Sequence, residues 1–348
     1  MGNCCAQERD PTTCLVIENP GKTDTDPDRR LKILRIQAAL RRYAASKKVK
    51  KLREKGIASQ GASKKQYDPL TPKSPQVFSS PNIVAQKLRE FGEFRYGKSK
   101  PPPPGKEREQ SVEIVVKDGA RYTGEVIDGR IRDGKGVLIW PDGSRYDGLW
   151  ENDRACGRGR LIHADGDVYD GEWQNDKAHG FGTYFHSDGS RYDGEWQEDK
   201  QHGKGKEVWP DQSMYEGDYL NGLKHGNGVF KWADGSQFEG QFVDNKIQGE
   251  GLYRWADGRT YRGQWRENMM HGHGVFTWQD GRCYDGEYVE DKKEGFGKFA
   301  WPDGRKYEGY WRNGKQDGEG NYINAKGETR RGQWKEGTRV KWLLPAAK

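Results

Sequence analysis

The sequence predicts an all-β protein, an elongated single-layer antiparallel sheet of stacked hairpins, preceded by a basic helix and a disordered linker. Two observations predict this fold. The pattern aromatic, any residue, Gly, any residue, aromatic starts at Tyr122 and returns every 23 residues from Tyr146 onward, as in stacked copies of one small unit. In addition, all 13 Trp lie between Trp140 and Trp342 among most of the 48 Gly, whereas apolar residues are only 32% of the chain. A large three-dimensional core is therefore not expected.

Charge divides the chain into an arm and an array. Residues 1–110 hold 24 Lys+Arg and 12 Asp+Glu, a net charge of +12, whereas the remaining residues carry −5. We expect an acylated flexible N-terminus over 1–30, a basic amphipathic helix over 31–55, a Pro/Ser-rich linker over 56–110, the repeat array over 111–342 and a tail over 343–348. A basic arm favours acidic or phosphate-bearing partners.

The first residues, MGNCC, have the form of a dual acylation signal. Gly2 becomes available for myristate once Met1 is removed, and Cys4 and Cys5 are placed for palmitate. Two acyl chains give stable membrane attachment where one gives only marginal binding. Ala6 stands where the motif prefers Ser or Thr, and an unmodified flexible terminus is the alternative. The signal predicts a location at the cytoplasmic face of a membrane: the plasma membrane, cell cortex, cilium or flagellum.

Residues 31–55 carry ten basic side chains and one acid, with apolar residues on one helical face. Their start resembles an IQ motif, the calmodulin-binding helix, although Arg42 replaces the usual Gly and Ser46 the second basic residue. The resemblance predicts a helix that contacts calmodulin or a related EF-hand protein through Ile36, Gln37, Leu40, Arg41, Arg42 and Lys47.

Polybasic contact with membrane and a merely solvated charged helix are the other interpretations of this segment. The residues predicted to contact anionic lipid are Lys47, Lys48, Lys50, Lys51 and Arg53. If calmodulin and lipid use one surface, Ca²⁺-loaded calmodulin would displace the helix from the membrane.

The predicted linker contains Ser-Pro and Thr-Pro phosphorylation candidates at Thr71, Ser74 and Ser80. Within it, residues 83–94 are apolar at helical spacing, which allows a short helix that docks on the first repeat.

Each copy is predicted to be a β-hairpin. In the copy that begins at Tyr192, strand alternation places Tyr192, Gly194 and Trp196 on one face, and a second strand starts at Gly203 after a six-residue loop. The glycines on this face leave room for rings of neighbouring strands or copies. Asp-Gly links are predicted to be two-residue turns with positive φ at both positions, and Asp211-Gln212 a looser one.

The repeat core is predicted from the same positions in four copies, and Val112–Val116 and Val340–Leu344 are available to cover the two ends of the sheet. The core residues are Tyr146, Gly148, Trp150, Tyr169, Gly171, Trp173, Tyr192, Gly194, Trp196, Tyr261, Gly263 and Trp265.

The pattern YxGxW…GxGxxxxxDG resembles the MORN (membrane occupation and recognition nexus) repeat family, with ten copies over about residues 112–337. The resemblance implies an elongated antiparallel sheet that serves as a scaffold at membrane-associated or cytoskeletal sites. It also raises phosphoinositide binding by the repeats, which the net negative charge of this array disfavours.

Catalytic and metal chemistry are not expected. Four histidines, His179, His202, His225 and His271, occupy equivalent positions, but copies roughly 9.6 Å apart cannot share one ion. The five Cys show no CxxC spacing. We expect no enzyme activity, no cofactor, no metal and no nucleic-acid binding.

The leading functional hypothesis is a non-enzymatic, membrane-anchored scaffold that organises cortical, ciliary or flagellar proteins, bound to unidentified partners along its repeats and regulated by Ca²⁺ and calmodulin. The alternatives are a calmodulin-binding Ca²⁺ relay and a regulatory subunit of a phosphoinositide kinase that acts through the repeats.

Overall fold

The computed structural model describes residues 83–111, 113–116 and 119–343. The chain divides into two compact units, whose described parts lie within 83–233 (the N-terminal unit) and 234–343 (the C-terminal unit). Gly2, Cys4, Cys5, the helix predicted over 31–55 with its calmodulin and lipid contacts, and the Ser-Pro and Thr-Pro positions all lie outside the described residues.

The N-terminal unit contains one helix, α1 (Ile83–Phe91), and twelve strands in its described part. The strands are β1 (Glu109–Gln110), β2 (Ile114–Val115), β3 (Arg121–Ile127), β4 (Ile131–Ile139), β5 (Arg145–Glu151), β6 (Arg154–Ile162), β7 (Val168–Gln174), β8 (Lys177–Phe185), β9 (Arg191–Gln197), β10 (Lys200–Val208), β11 (Met214–Leu220) and β12 (Leu223–Lys231).

The described part of the C-terminal unit is a series of strands alone. These are β13 (Gln237–Val243), β14 (Lys246–Arg254), β15 (Thr260–Arg266), β16 (Met269–Thr277), β17 (Cys283–Val289), β18 (Lys292–Ala300), β19 (Lys306–Arg312), β20 (Lys315–Ile323), β21 (Thr329–Lys335) and β22 (Thr338–Trp342). From β3 to β12 in one unit, and from β13 to β22 in the other, each strand pairs antiparallel with the next. The all-β, antiparallel class predicted from the sequence is confirmed.

The turn inside each copy is shorter than predicted. Glu198 and Asp199 have φ values of 49° and 65°, so they form the two-residue turn with positive φ at both positions that suits twisted strands. Strand β10 therefore begins at Lys200, and the prediction of a six-residue loop before Gly203 is wrong. The register shifts between His202 and Gly205, where a β-bulge at Gly203 accommodates the extra residues.

The Asp-Gly links between copies are a different turn from the predicted one. Gly143 N–H donates to the Trp140 carbonyl at 2.9 Å, and Trp140 N–H donates to the Ser144 carbonyl at 2.9 Å. Gly143 alone in this turn has positive φ, 89°, which makes it a three-residue hairpin loop with a left-handed final residue. Gln212 keeps the equivalent bonds at φ 66°, so the looser turn predicted at Asp211-Gln212 is also wrong.

Hydrogen bonds between successive copies recur at the turns, at both ends of the strands. The second turn residue of one copy bonds the backbone of the copy before it: Asp176 Oδ1 accepts from Ala155 N–H at 2.7 Å, and Asn268 Oδ1 accepts from Ile247 N–H at 2.7 Å. At the opposite ends of the strands, where the turns between copies lie, Ser144 Oγ accepts from Ala164 N–H at 3.0 Å. These bonds fix each copy to its neighbour within a unit.

Both terminal strands of the array have partners. Strands β1 and β2 pair with β3, and β22 pairs with β21. Of the two predicted end pieces, Ile114–Val115 and the stretch up to Trp342 are in these strands, whereas Val112 and Leu344 lie outside the described residues.

Candidate functional site: the two faces of the repeat sheet

One face of the sheet, here the aromatic face, is built from rings that lie over glycines. A Cβ added at Gly148 or Gly159 would lie 2.2 or 2.3 Å from the Tyr146 hydroxyl oxygen, so only glycine leaves space for this ring. Gly159 lies on the strand next to that of Tyr146, so the ring over it comes from a neighbouring strand, as the sequence allowed, but from the same copy and not from a neighbouring one. The Tyr146 hydroxyl donates to the Leu149 carbonyl at 3.2 Å.

The rings also join successive copies. Tyr146 packs edge-on against Trp150 of its own copy at 5.1 Å and against Trp173 of the next copy at 5.2 Å between centroids. The same alternation reaches Trp196 through Tyr169, and Tyr261 packs on Trp265 in the C-terminal unit. Edge-to-face pairs of this kind stabilise by about 0.5–1.5 kcal/mol beyond area burial.

The structure places the predicted core residues on this face. Fully or nearly fully buried are Tyr146, Trp150, Tyr169, Trp173, Tyr192, Tyr261 and Trp265, whereas Trp196 is half-buried. In each of these copies the tyrosine ring lies over the glycine two residues later in the same strand; these glycines are Gly148, Gly171, Gly194 and Gly263. Burial raises the pKa of the Tyr146 hydroxyl well above its ordinary value, so this row of phenols is packing material at neutral pH.

Two buried lysines on the aromatic face were missed by the sequence reasoning. Lys293 is 1% exposed, with its Nζ 4.8–5.1 Å from the centroids of four rings, those of Trp278, Tyr284, Phe299 and Trp311. Lys224 Nζ lies 2.7 Å from Glu207 Oε2. Both stand at the position that Ala155 occupies in an earlier copy. The equivalent position varies between copies, from Ala155 and Met270 to Gln201 and Arg132, so no clear signal in the sequence marked these lysines as buried; cation–π attraction accommodates them.

The opposite face, here the polar face, carries the segment that precedes the array in the N-terminal unit. Helix α1 packs Val84 against Ile162 and Val168, and the Phe91 ring lies 4.8 Å from Phe185. The predicted short helix is present but ends at Phe91, and it lies on the second and third copies instead of the first. The contact surface for α1 is formed by apolar side chains at strand ends, namely Ile162, Val168 and Phe185.

Residues 92–111, here the strap, continue along the polar face. Arg160 Nη1 donates to the Gly92 carbonyl at 2.9 Å, Lys100 pairs with Glu151 at 2.8 Å and Lys106 with Asp128 at 2.8 Å. The largely buried pair between Arg108 and Asp133 is 2.6 Å long.

Burial, with Asp147 adding to its effect, raises the pKa of Tyr96 in the strap to about 12. Helix α1 and the ion pairs of Lys100, Lys106 and Arg108 hold residues 83–111 against the sheet, whereas residues 56–82 of the predicted linker lie outside the described residues. Their apolar side chains and charges are matched by the face beneath them.

The repeat histidines and cysteines form no cluster. In the described parts of the chain, no group of three or more His, Cys, Asp or Glu is arranged to hold a metal ion. Cys156 and Cys283 are free thiols, and burial is the main cause that raises the pKa of each. Over the same described ranges, no helix combines the length and apolar character that crossing a bilayer requires.

Comparison with protein families identifies the repeat. The model described as MORN repeat matches nine copies, where the sequence reasoning counted ten: residues 122–145, 146–168, 169–191, 192–214, 215–237, 238–258, 261–281, 284–304 and 307–329. The additional copy, which begins at Arg330, forms the hairpin of β21 and β22 without matching the model.

No curated protein matches the chain. Solved structures match the chain at low similarity. The TCP10 domain of Danio rerio CPAP is 13% identical, with 60% of this chain and 99% of that one covered at a TM-score of 0.35. The SAS-4 (dCPAP) TCP domain of Drosophila melanogaster, solved with a proline-rich motif of Ana2, is 12% identical over 55% and 95% at a TM-score of 0.29. Virginiamycin B lyase of Staphylococcus aureus is 12% identical over 64% and 68% at 0.13. Similarity this low transfers no function.

Proposed function

Because this chain belongs to the MORN repeat family, we propose that it is a non-enzymatic scaffold, anchored by acyl groups to the cytoplasmic face of a membrane, that organises proteins of the cortex, cilium or flagellum. The observation that carries the scaffold role is the recurrence of the same bonds between copies. Asp176 to Ala155, Asp199 to Ala178 and Asp291 to Met270 repeat one backbone contact at 2.7–2.8 Å. Such a sheet presents many side chains at fixed spacing, as a platform for partners requires.

Membrane attachment is the part of the proposal that rests on the first five residues. Gly2 supports it as the myristate acceptor, with Cys4 and Cys5 as palmitate acceptors that convert marginal binding into stable anchoring. The ten basic residues of 31–55 add attraction to anionic lipid.

The experiment is fractionation of cells that express the full chain. Gly2→Ala is expected to move the protein from the membrane pellet to the supernatant, and Cys4→Ser with Cys5→Ser to weaken membrane retention while leaving myristate in place. Ala6→Ser is the matched control, because it restores the residue that the motif prefers and leaves the three acceptors intact. Unchanged pelleting of the Gly2→Ala protein would contradict the anchoring proposal.

Regulation by Ca²⁺ is proposed for the basic helix. Ile36, Leu40 and Arg41 support calmodulin binding by the helix predicted over residues 31–55, on the surface that would also contact anionic lipid. We expect Ca²⁺-calmodulin to lower the fraction of the full chain that floats with vesicles of phosphatidylcholine and phosphatidylserine, whereas calmodulin with EGTA serves as the control. Flotation that does not respond to Ca²⁺-calmodulin would remove this part of the proposal.

A further inference from the structure

The C-terminal unit exposes an aromatic pair on its polar face. Phe296 on β18 and Tyr310 on β19 are register partners, their rings lie edge-on at 5.8 Å between centroids, and they are 49% and 55% exposed. At equivalent positions of another copy the partners are Lys204 and Asp218, an ion pair 2.5 Å long between an exposed lysine and a half-buried aspartate. Two rings at positions suited to charged side chains are not needed for the sheet itself.

The N-terminal unit shows what can cover these positions. Lys135 and Leu149 are register partners seven copies earlier than Phe296 and Tyr310. Leu149 is only 6% exposed, although it belongs to the polar face. The strap lies across this place, with the Tyr96 ring 6.0 Å from Lys135 Nζ and Gly97 beside Arg158.

The strap combines an aromatic side chain with basic ones. It has no helix or strand from residue 93 to 108, with a turn at residues 104–105, and it carries Tyr96 between Arg95 and Lys98, followed by Pro101–Pro104. An aromatic side chain flanked by basic ones therefore occupies this position on the polar face of the N-terminal unit.

The charges around Phe296 and Tyr310 match such a segment. Exposed Glu287 precedes the pair on β17 and exposed Glu319 follows it on β20, so a carboxylate lies on each side of the two rings. Glu319 shares its carboxylate with Arg331 at 2.5 Å, and Arg312 lies towards the turn, which leaves Glu287 as the carboxylate most accessible to a bound cation.

We propose that Phe296 and Tyr310 form a docking site for a segment of a protein partner, with an aromatic side chain packed against the exposed surface of the two rings and a Lys or Arg side chain beside Glu287. The proposal rests on the scaffold function, for which it names one contact surface. Aromatic pairs of this kind contribute heavily to binding when they are desolvated by a partner. The Glu287 carboxylate favours a basic segment over an acidic one.

The test uses the purified full chain and a fluorescent peptide with the sequence of residues 92–104 as the probe. Phe296→Lys with Tyr310→Asp recreates the Lys204 and Asp218 pair, so it removes both rings while keeping a pairing that the fold already tolerates. Binding of the peptide is expected to weaken by about tenfold or more in this variant. Phe181→Lys is the matched control, since it removes a 64% exposed ring on the polar face of the other unit and should leave affinity unchanged.

Three outcomes would overturn the proposal: no peptide binding by the wild-type chain, equal binding by the double variant, or equal loss with Phe181→Lys. Self-association of the wild-type chain that the double variant abolishes would assign the site to a second copy and would overturn it too. A peptide in which Tyr96 is replaced by Ala should lose affinity, and one with Arg95 and Lys98 replaced by Glu should lose it further. The assay requires no acyl groups, so its failure leaves the membrane proposal standing, and failed fractionation leaves this one standing.

Discussion

Adding one methyl group at Gly159 tests the packing of rings over glycine. The Ala Cβ would lie 2.3 Å from the Tyr146 hydroxyl oxygen and 2.6 Å from two ring carbons, so the ring must leave its place. Displacement strains the core and disturbs the edge-on contacts with Trp150 and Trp173. These effects together correspond to a loss of about 2–6 kcal/mol in the free energy of unfolding.

A double-mutant cycle isolates this cause. In a Tyr146→Ala background the obstructing ring is gone, and Gly159→Ala should be neutral or stabilising by roughly 0.5–1 kcal/mol, because Ala is preferred to Gly in a strand. Urea unfolding of the full chain, followed by circular dichroism, gives the four free energies. Gly97→Ala is the control, since its Cβ would meet Arg158 at an ordinary 3.5 Å. Additive costs at Gly159 and Tyr146 would show that the clash with the Tyr146 ring is not what makes Ala unfavourable at position 159.

Three further predictions follow from the turns, the edges and the buried phenols. Gln212 has φ 66° where the equivalent turns have Gly, so Gln212→Gly should stabilise by about 0.5–1 kcal/mol in thermal unfolding. Gly235→Gln, where no atom lies within 4 Å of the added Cβ, should destabilise by a similar amount, and two neutral results would contradict the turn geometry. Asp176→Ala should cost about 1–2 kcal/mol in urea unfolding while Asp176→Asn, the side chain found at Asn268, should cost much less; equal effects would show that the bond to Ala155 N–H does not stabilise the sheet. Burial raises the folded-state pKa values of the core tyrosines, so their stabilising contribution is fully present below the unfolded pKa of about 10 and is lost as pH rises towards the folded values. Tyrosinate absorbance at 295 nm should therefore rise together with loss of circular dichroism, and ionisation of the whole set in a still-folded protein would contradict this; the residues are Tyr122, Tyr146, Tyr169, Tyr192, Tyr215, Tyr253 and Tyr307.

Periodicity was sufficient to predict the hairpins and the aromatic face. Tyr146, Gly148 and Trp150 are two residues apart, which places them on one face of a β-strand, and the same triplet recurs in later copies. The turns were assigned less well. Glu198 and Asp199 adopt positive φ without the Gly that usually marks such a turn, but the equivalent pairs Asn221-Gly222 and Asn313-Gly314 are typical of it, so comparison of the copies could have identified the turn. The Asp-Gly pair at 142–143 was visible, but a two-residue and a three-residue loop share that dipeptide.

The strap was beyond sequence reasoning for a different reason. Its position depends on contacts between residues far apart in the chain, such as Arg108 with Asp133 and Lys100 with Glu151, and the segment has no period of its own. Its proline-rich composition resembles that of a linker, which is how it was interpreted. Phe296 and Tyr310 could have been found in the sequence by comparing equivalent positions across copies, since both are aromatic where charged residues recur.

Mass spectrometry of the N-terminal peptide from the native protein is a direct test of whether this repeat scaffold is anchored to a membrane by acyl groups. We expect a peptide that has lost Met1, carries an acyl group on Gly2 and carries a second acyl group on Cys4 or Cys5. An unmodified peptide from the membrane-bound protein, with Gly2, Cys4 and Cys5 free, would contradict it.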